Sequence, residues 1–165
     1  MIQRRLLLIG FIGASLSSCS SWFRPKELPE VTQIVVFKES RKLYLYSGDK
    51  AVRSYDIDLG FSPIGDKKIE GDGKTPEGRY YIDRKNPNSA YHLSLGISYP
   101  SKSDKSEAKK LGKSPGKDIF IHGRVGFFGR RPKKDWTWGC VSVSNSDIEE
   151  IYELVDIGTV IDINP

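Results

Sequence analysis

The sequence predicts a single, mainly β (α+β) domain that carries one helix near its C-terminal end. Runs of alternating apolar and polar residues follow one another through the first hundred positions without a helical pattern between them. A single convincing helical periodicity appears only after residue 145. Because successive strands without intervening helices pair most simply with their neighbours, the first strands are predicted to form an antiparallel sheet.

The predicted strands begin at residue 31. Two β-rich runs, Val31–Lys38 and Arg41–Ser47, flank Glu39-Ser40, which suits a tight hairpin turn. A third run, Ala51–Leu59, alternates again after the turn at Gly48. The remaining predicted strands are Arg79–Asp83, Tyr91–Tyr99 and Thr159–Ile163.

The predicted helix begins at Ser146-Asp147-Ile148-Glu149, which has the pattern of a capping box. Gly158 is expected to end it. The apolar residues that follow helical spacing and are expected to be core are Ile148, Ile151 and Leu154.

Two long segments are predicted to be loops. Residues 60–78 contain GDGKTPEG, but position 68 is Lys where a phosphate-binding loop needs Gly, so that interpretation fails. Glycines 71, 73 and 78 are expected to permit tight turns, and a loop this long forms either a plain connection or one wall of a binding site, with Lys74 as a substrate-binding candidate. Residues 101–117 are predicted to be an exposed loop with a short helical piece near residues 106–111.

The N-terminal segment predicts export. Arg4 and Arg5 precede the apolar run Leu6–Ile12, and small residues then lead to Cys19. Leu16-Ser17-Ser18-Cys19 resembles the bacterial lipoprotein lipobox, in which the Cys becomes the acylated first residue. The predicted organisation is a signal peptide at 1–18, a tether at 19–30 and a domain at 31–165. By resemblance to sorting signals, Ser20 favours the outer membrane, so a periplasmic, lipid-anchored location is expected.

Charge and cysteine content narrow the function classes. The formal net charge of +5 falls to about +3 without Arg4 and Arg5, and no nucleic-acid-binding motif accompanies it, so nucleic acid is not an expected partner. The chain has two cysteines, Cys19 and Cys140. If Cys19 is acylated, Cys140 is a free thiol in an oxidising compartment, which marks it as a reactive group.

His122 and Cys140 each adjoin a strand-like apolar run, and a 17-residue segment rich in Gly, Arg, Lys and aromatics separates them. This is the arrangement of a nucleophile and its base, because a thiol is only slightly ionised at neutral pH and an imidazole can take its proton. The two side chains are expected to approach hydrogen-bond reach across a cleft. A zinc site formed with His92 is an alternative, although none of the usual paired spacings is present. His92 is otherwise either a hydrogen-bonded structural residue or a residue that lines the site.

His122-Gly123 is followed by Thr137-Trp138-Gly139-Cys140-Val141, with fourteen residues, 123–136, between His122 and Thr137. This spaced motif resembles the signature of the L,D-transpeptidase catalytic domain, the YkuD-like family. The GDGKTPEG segment and the final helix and strand resemble the family as well, so the similarity covers roughly residues 31–165. Trp138 stands where most members have His, and Ser142 where many have Arg or Asn. The Asp-Trp-Thr-x-Gly-Cys sequence is similar to a subgroup for which cleavage of peptide bonds is a second expectation.

The resemblance implies a YkuD-like β-sandwich or barrel-like domain and a cysteine acyltransferase without cofactor or metal. Cys140 would attack a peptidoglycan stem peptide, His122 would act as base and then acid, and the Gly123 carbonyl would orient the imidazole. Backbone N–H groups near Gly139 and Cys140 would stabilise the oxyanion, with Thr137 and Trp138 beside them. Arg124 is a further substrate-binding candidate.

Three function classes remain open at this stage. The first is an L,D-transpeptidase that remodels, crosslinks or attaches protein to the cell wall. The second is an L,D-carboxypeptidase or amidase that hydrolyses the same stem, and the third is a non-catalytic wall-binding lipoprotein. A monomer is expected in each case.

Overall fold

The computed structural model describes residues 30–124 and 133–165. Within these residues the chain forms one sheet of eight strands and two helices. The strands are β1 (Gln33–Phe37), β2 (Lys42–Ser47), β3 (Lys50–Asp56), β4 (Gly78–Ser89), β5 (His92–Ile97), β6 (Phe120–His122), β7 (Val141–Ser142) and β8 (Val160–Asn164). The helices are α1 (Lys102–Lys110) and α2 (Asn145–Leu154).

The strand order across the sheet is β3-β2-β1-β8-β4-β5-β6-β7. Strands β1, β2 and β3 pair in antiparallel fashion, which confirms the prediction for the first three strands. The sheet is mixed, because β1 pairs with β8 and β6 pairs with β7 in parallel. The parallel pairing of β6 and β7 brings the chain before and after residues 123–140 side by side.

The two edges of the sheet meet at a seam, and the candidate site lies beside it. Asp58, just after β3, exchanges two 2.8 Å backbone hydrogen bonds with Ser142 of β7. Gly60 and Thr137 form a second bridge next to it. These bridges join the segment after the first edge strand to the other edge strand, so the sheet curves into a barrel-like shape. The mainly β fold expected from the sequence is confirmed.

The core follows from the alternation in the strands and the periodicity of α2. Leu43 and Leu45 of β2 are fully buried, as is Ile161 of β8. On α2, the predicted core residues Ile148, Ile151 and Leu154 are all buried. Each such side chain contributes about 1.5–3 kcal/mol when it is removed from water. The helix thereby fixes the sheet on the β5 side, next to the strands that carry the candidate pair.

The helix boundaries differ from those predicted. α1 begins four residues earlier than the predicted piece, because Ser101 and Asp104 form a capping box. α2 is capped by Ser144 and not by Ser146, since the Ser144 hydroxyl accepts a 3.1 Å hydrogen bond from the Asp147 backbone N–H. The helix ends at Leu154, and Gly158 (φ 97°) lies in the turn that follows.

Strand β4 is also longer than predicted. It continues past Asp83 to Ser89 and pairs with β5 through two irregularities in register. Asn86, Pro87 and Asn88 are typical of turns, so the local pattern favoured a loop there. The pairing with β5 overrides that preference.

Neither a membrane-spanning helix nor the predicted lipidation site lies among the described residues. No helix among residues 30–124 and 133–165 is long and apolar enough to cross a membrane. The predicted signal peptide at 1–18, nearly all of the tether at 19–30, and Cys19 lie outside the described residues.

Candidate active site

The parallel pairing of β6 and β7 places His122 and Cys140 on neighbouring segments of the sheet. His122 ends β6 and lies directly opposite Ser142 of the parallel strand β7. Cys140 immediately precedes β7, two positions before Ser142. Because alternate residues of an extended chain share a face, we expect Cys140 to lie on the same side as Ser142 and His122. The two sequence-predicted residues therefore lie diagonally across neighbouring strands.

His122 is buried and held in one orientation. Its side chain is 5% exposed, and its Nδ1 lies 2.6 Å from the backbone oxygen of Gly123. When Nδ1–H donates to this carbonyl, the neutral ring carries no proton on Nε2, which is then free to accept one. Burial lowers the pKa of His122, and the hydrogen bond to Gly123 opposes this effect. At neutral pH the imidazole is therefore a base and not an imidazolium.

Two aromatic rings pack against His122. The Tyr91 ring lies 4.6 Å away at an interplanar angle of 32°, and the Trp136 ring lies 5.7 Å away at 73°. The two rings are also 5.7 Å from each other, so they form a continuous aromatic wall. This wall excludes water from one side of the imidazole.

Gly123 is required at its position by close packing. A Cβ there would lie 2.6 Å from Asn145 Oδ1 and 2.9 Å from the Tyr91 backbone oxygen. Asn145 Oδ1 accepts a 2.7 Å hydrogen bond from the Arg124 backbone N–H. These contacts fix the backbone that presents the Gly123 carbonyl to His122.

Cys140 is more open than His122. It is partly exposed, and its Sγ donates a long, 3.6 Å hydrogen bond to the Asp118 backbone oxygen. It lines a cleft of about 400 Å³ together with Lys67, Trp138 and other residues of the 67–71 and 116–119 segments. Burial raises the pKa of the Cys140 thiol, and a hydrogen bond from the Phe120 backbone opposes this effect. The resting group is therefore a thiol and needs a base.

The expected hydrogen bond within the pair is not formed in this structure. Among the described residues, Cys140 Sγ bonds to the Asp118 carbonyl, and His122 bonds to Gly123.

The turn before Cys140 is shaped by Thr137 and Gly139. The Thr137 hydroxyl donates to the Cys140 backbone oxygen (2.7 Å) and accepts from the Gly139 N–H (3.1 Å). Gly139 has φ 126°, and a Cβ on it would lie 2.6 Å from the Lys74 backbone oxygen. The Gly139 N–H is thus already engaged. The Cys140 N–H has no hydrogen-bond partner in the described part of the chain, so it is an available donor at the nucleophile candidate.

The loop 60–78 forms part of the site through its backbone. The Lys74 carbonyl packs against Gly139, while the Lys74 Nζ lies beside Gly65. Lys74 therefore supports the turn before the nucleophile, and its ammonium does not line the Cys140 cleft. Trp138 does line this cleft; it is 71% exposed and packs edge-on against Phe61 at 4.9 Å.

The two remaining candidates, Arg124 and His92, each contact a carboxylate elsewhere in the chain. Arg124 Nη2 donates to Asp58 Oδ2 at 2.8 Å. His92 Nε2 lies 2.6 Å from Glu149 Oε1 on α2, which agrees with the structural interpretation of His92 and not with a role in the site. Within the described residues, no group of three or more His, Cys, Asp or Glu side chains could hold a metal ion.

The sequence did not predict the polar cluster that holds the two ends of the 123–139 segment in place. Asp135 accepts hydrogen bonds from Arg41 (2.8 Å to Oδ2) and from the Leu59 backbone N–H (3.0 Å). Burial would raise the pKa of Asp135, but the hydrogen bond from Arg41 and that from Leu59 outweigh it and hold the pKa below its usual value. Asp58 bonds Arg124 at the other end of the segment. Only the position of Asp135 within the Asp-Trp-Thr-x-Gly-Cys motif offered a local signal.

Comparison with known proteins identifies similar chains. The model of the YkuD family, described as the L,D-transpeptidase catalytic domain, matches residues 32–163. YafK of Escherichia coli (strain K12), whose name places it provisionally among the L,D-transpeptidases, is 29% identical over 154 residues, which are 88% of this chain and 56% of YafK.

Two solved structures extend the comparison. The helical cell shape determining protein Pgp2 of Campylobacter jejuni is 32% identical with a TM-score of 0.64, covering 81% of this chain and 47% of Pgp2. Bd1075 of Bdellovibrio bacteriovorus is 26% identical with a TM-score of 0.61, covering 81% and 48% of the two chains. The chain thus spans about half the length of the relatives it matches.

Proposed function

Because this chain belongs to the L,D-transpeptidase catalytic domain family, we propose that it is a cysteine-dependent acyltransferase acting on peptidoglycan stem peptides. The observation that carries the proposal is the buried, neutral His122, held through Nδ1 by Gly123, at the end of the strand that pairs with the strand Cys140 precedes. The name of Pgp2 refers to cell shape, and by analogy this chain would act in cell wall remodelling.

The first half of the reaction forms a thioester. His122 Nε2 accepts the Cys140 thiol proton as Sγ attacks the carbonyl that joins the L-centre of diaminopimelate to the terminal D-alanine. The Cys140 N–H donates to the resulting oxyanion, a contact worth about 3 kcal/mol in comparable sites. The C–N bond then breaks, and His122 returns the proton to the departing amine of D-alanine.

The second half releases the acyl group from Cys140. An amine of another stem or of a protein attacks the thioester, His122 takes the amine proton, and the thiol leaves with that proton. Because burial raises the pKa of Cys140 and lowers that of His122, the resting pair is neutral, and proton transfer accompanies each attack. The step needs no metal or organic cofactor.

Hydrolysis of the same stem is the second candidate. Cys140 is partly exposed, so water has access to a thioester formed there. With water in place of the amine, the product is a stem shortened by one residue or a stem released from a protein, as for a carboxypeptidase or an amidase.

Incubation of the purified protein with tetrapeptide muropeptides tests the proposal. Crosslinked dimers detected by mass spectrometry support transfer, and loss of one alanine without dimers supports hydrolysis. No change in the presence of either amine or water acceptors contradicts both and favours a non-catalytic wall-binding protein.

Location is part of the proposal. Residues 1–18 would serve as a signal peptide, Cys19 as the lipidated residue, residues 19–30 as a tether and residues 31–165 as a monomeric catalytic domain in the periplasm, with the outer membrane favoured. Two or more acyl chains are needed for stable attachment. Cys19→Ser should abolish palmitate labelling and leave unprocessed precursor; labelling that persists would contradict the anchor.

A further inference from the structure

The cleft beside Cys140 contains a buried lysine that the mechanism above does not use. Lys67 is 3% exposed and lines the same cleft as Cys140. Its Nζ donates to Asp72 Oδ1 at 2.8 Å and to the Ile69 backbone oxygen at 3.1 Å. A buried ammonium beside the nucleophile is a feature with electrostatic consequences for any substrate that enters the cleft.

Asp72 holds Lys67 in place. Its carboxylate also accepts hydrogen bonds from three backbone N–H groups, those of Lys68 (2.8 Å), Ile69 (3.1 Å) and Lys74 (3.1 Å). Burial would raise the pKa of Asp72, but the hydrogen bonds from Lys67 and from these backbone groups outweigh it and lower the pKa. The carboxylate is therefore ionised at neutral pH, and the ammonium is fixed before substrate binds.

A second buried lysine, Lys38, has a purely structural role and serves as a comparison for Lys67. Lys38 is 2% exposed, and its three donors are all used, on Gly65 O (2.7 Å), Thr75 O (2.9 Å) and Glu77 Oε1 (2.8 Å). An ammonium has three donors. In the described part of the chain, Lys67 uses two of them, and the third has no protein partner there.

We propose that Lys67 is a specificity-determining residue that binds the free α-carboxylate of the residue leaving the stem. The inference rests on the proposed function, because that carboxylate is attached to the carbon next to the nitrogen of the bond that Cys140 attacks. An anion bound there would complete the hydrogen bonding of Lys67. The acidic side chains that line the cleft, Glu70 and Asp118, are exposed, and Asp118 is paired with Arg84 at 3.3 Å. Among the charged residues that line the cleft, Lys67 is the buried one.

This assignment predicts a preference for the terminal bond of a stem. A substrate whose last residue ends in a free carboxylate should react faster than one whose carboxylate is an amide. Charge-assisted hydrogen bonds of this kind correspond to about 10- to 100-fold in kcat/KM. A bond inside a longer peptide, or one to a protein side chain, lacks this group and gains nothing from Lys67.

The test compares a tetrapeptide stem with its C-terminal amide in the full-length protein, by D-alanine or D-alaninamide release. The wild type should favour the acid about 10- to 100-fold in kcat/KM, and Lys67→Met should remove that preference while changing the amide rate less than about threefold. Lys68→Met is the matched control, because this adjacent lysine pairs with Asp66 and Glu107 and does not line the cleft. It should keep the preference of the wild type.

Three results would overturn the inference in distinguishable ways. Equal rates for acid and amide in the wild type would overturn it without any variant, even if Lys67→Met failed to fold. Equal loss of both rates in Lys67→Met would show a structural role only. Failure of the wild type to convert either substrate would overturn the acyl-transfer function itself, and this inference with it.

Discussion

The two halves of the candidate site have opposite surroundings. On the histidine side, the imidazole of His122 is buried, packed by Tyr91 and Trp136, and bonded at 2.6 Å to the Gly123 carbonyl. On the cysteine side, Cys140 is partly exposed, lines a cleft of about 400 Å³ and makes one long hydrogen bond. The imidazole of His122 is therefore fixed and shielded from water, whereas Cys140 is accessible from the cleft.

This difference assigns separate tasks to the two halves. A base must keep one tautomer and orientation through both proton transfers, which packing provides. In the proposed reaction, the nucleophile must reach a peptidoglycan stem, which requires an open cleft. The seam between Asp58 and Ser142 joins the halves, so residues far apart in sequence determine their alignment.

Among substitutions that leave Cys140 in place, the largest effect should follow removal of the base. His122→Ala should lower kcat by about 10³-fold, because the thiol loses its proton acceptor and the leaving amine its donor. Since burial also raises the pKa of Cys140, partial recovery is expected only above about pH 9, where the thiol ionises unaided. Rates measured from pH 6 to 10 check this.

The other histidine provides the control for that experiment. His92→Ala should change kcat less than about threefold, because His92 bonds Glu149 outside the cleft. The double variant Cys140→Ala/His122→Ala should be no slower than Cys140→Ala alone, as for residues that act as a unit. Equal losses in His92→Ala and His122→Ala would contradict the assignment of the base.

The strands and the α2 core were predictable because they leave local signals, and the proposed pair leaves one as well. Alternation marks β1 to β3, helical spacing marks Ile148 and Ile151, and the spaced His and Cys motif marks the pair. The resemblance to a known family supplied the role of the Gly123 carbonyl, and the structure shows the contact that it implies.

The polar contacts across the seam were not predictable, because their partners are distant in sequence. Arg41 and Asp135 are separated by 94 positions. Lys67 and Lys68 are adjacent and chemically identical, yet one is buried against Asp72 and the other is exposed. Only the fold of the loop decides which of the two enters the cleft.

The pH dependence of kcat/KM should reflect the burial of His122. Because burial lowers the pKa of His122, the neutral form persists to more acidic pH than for a free imidazole. The acidic limb of kcat/KM should therefore lie below about pH 6.5, falling about tenfold per pH unit below the pKa. Tyr91→Ala exposes the ring and should move this limb upward. An acidic limb at or above pH 6.5 in the wild type would contradict the account.

A smaller effect is expected from the cluster that anchors the 123–139 segment. Asp135→Asn removes the charge that Arg41 pairs with and should lower the free energy of unfolding by about 2 kcal/mol at pH 7. The folded-state pKa of Asp135 is lowered, so this stabilisation is present above about pH 4 and is lost as pH falls through the folded-state value. Urea unfolding of both proteins should show the difference at pH 7 and its decrease toward pH 3. A difference that is independent of pH would refute the ion pair as its cause.

The smallest effect should come from Trp138→His, which introduces the residue that most family members carry. Trp138 is exposed and contacts Phe61 at the mouth of the cleft, so its loss removes packing at the surface and no group of the pair. We expect kcat to change less than about threefold and KM to carry most of any change. A loss of kcat comparable to that of His122→Ala would place Trp138 among the reacting groups and contradict the division into two halves.

Intact-protein mass spectrometry of the protein mixed with a tetrapeptide stem would detect the proposed acyl-enzyme itself. We expect a transient adduct with the mass of the stem acyl group without its terminal D-alanine, located on Cys140 after digestion. We also expect that Cys140→Ala forms no adduct and loses at least about 10⁴-fold in turnover. A Cys140→Ala protein that converts muropeptides at the wild-type rate would contradict the assignment of the nucleophile.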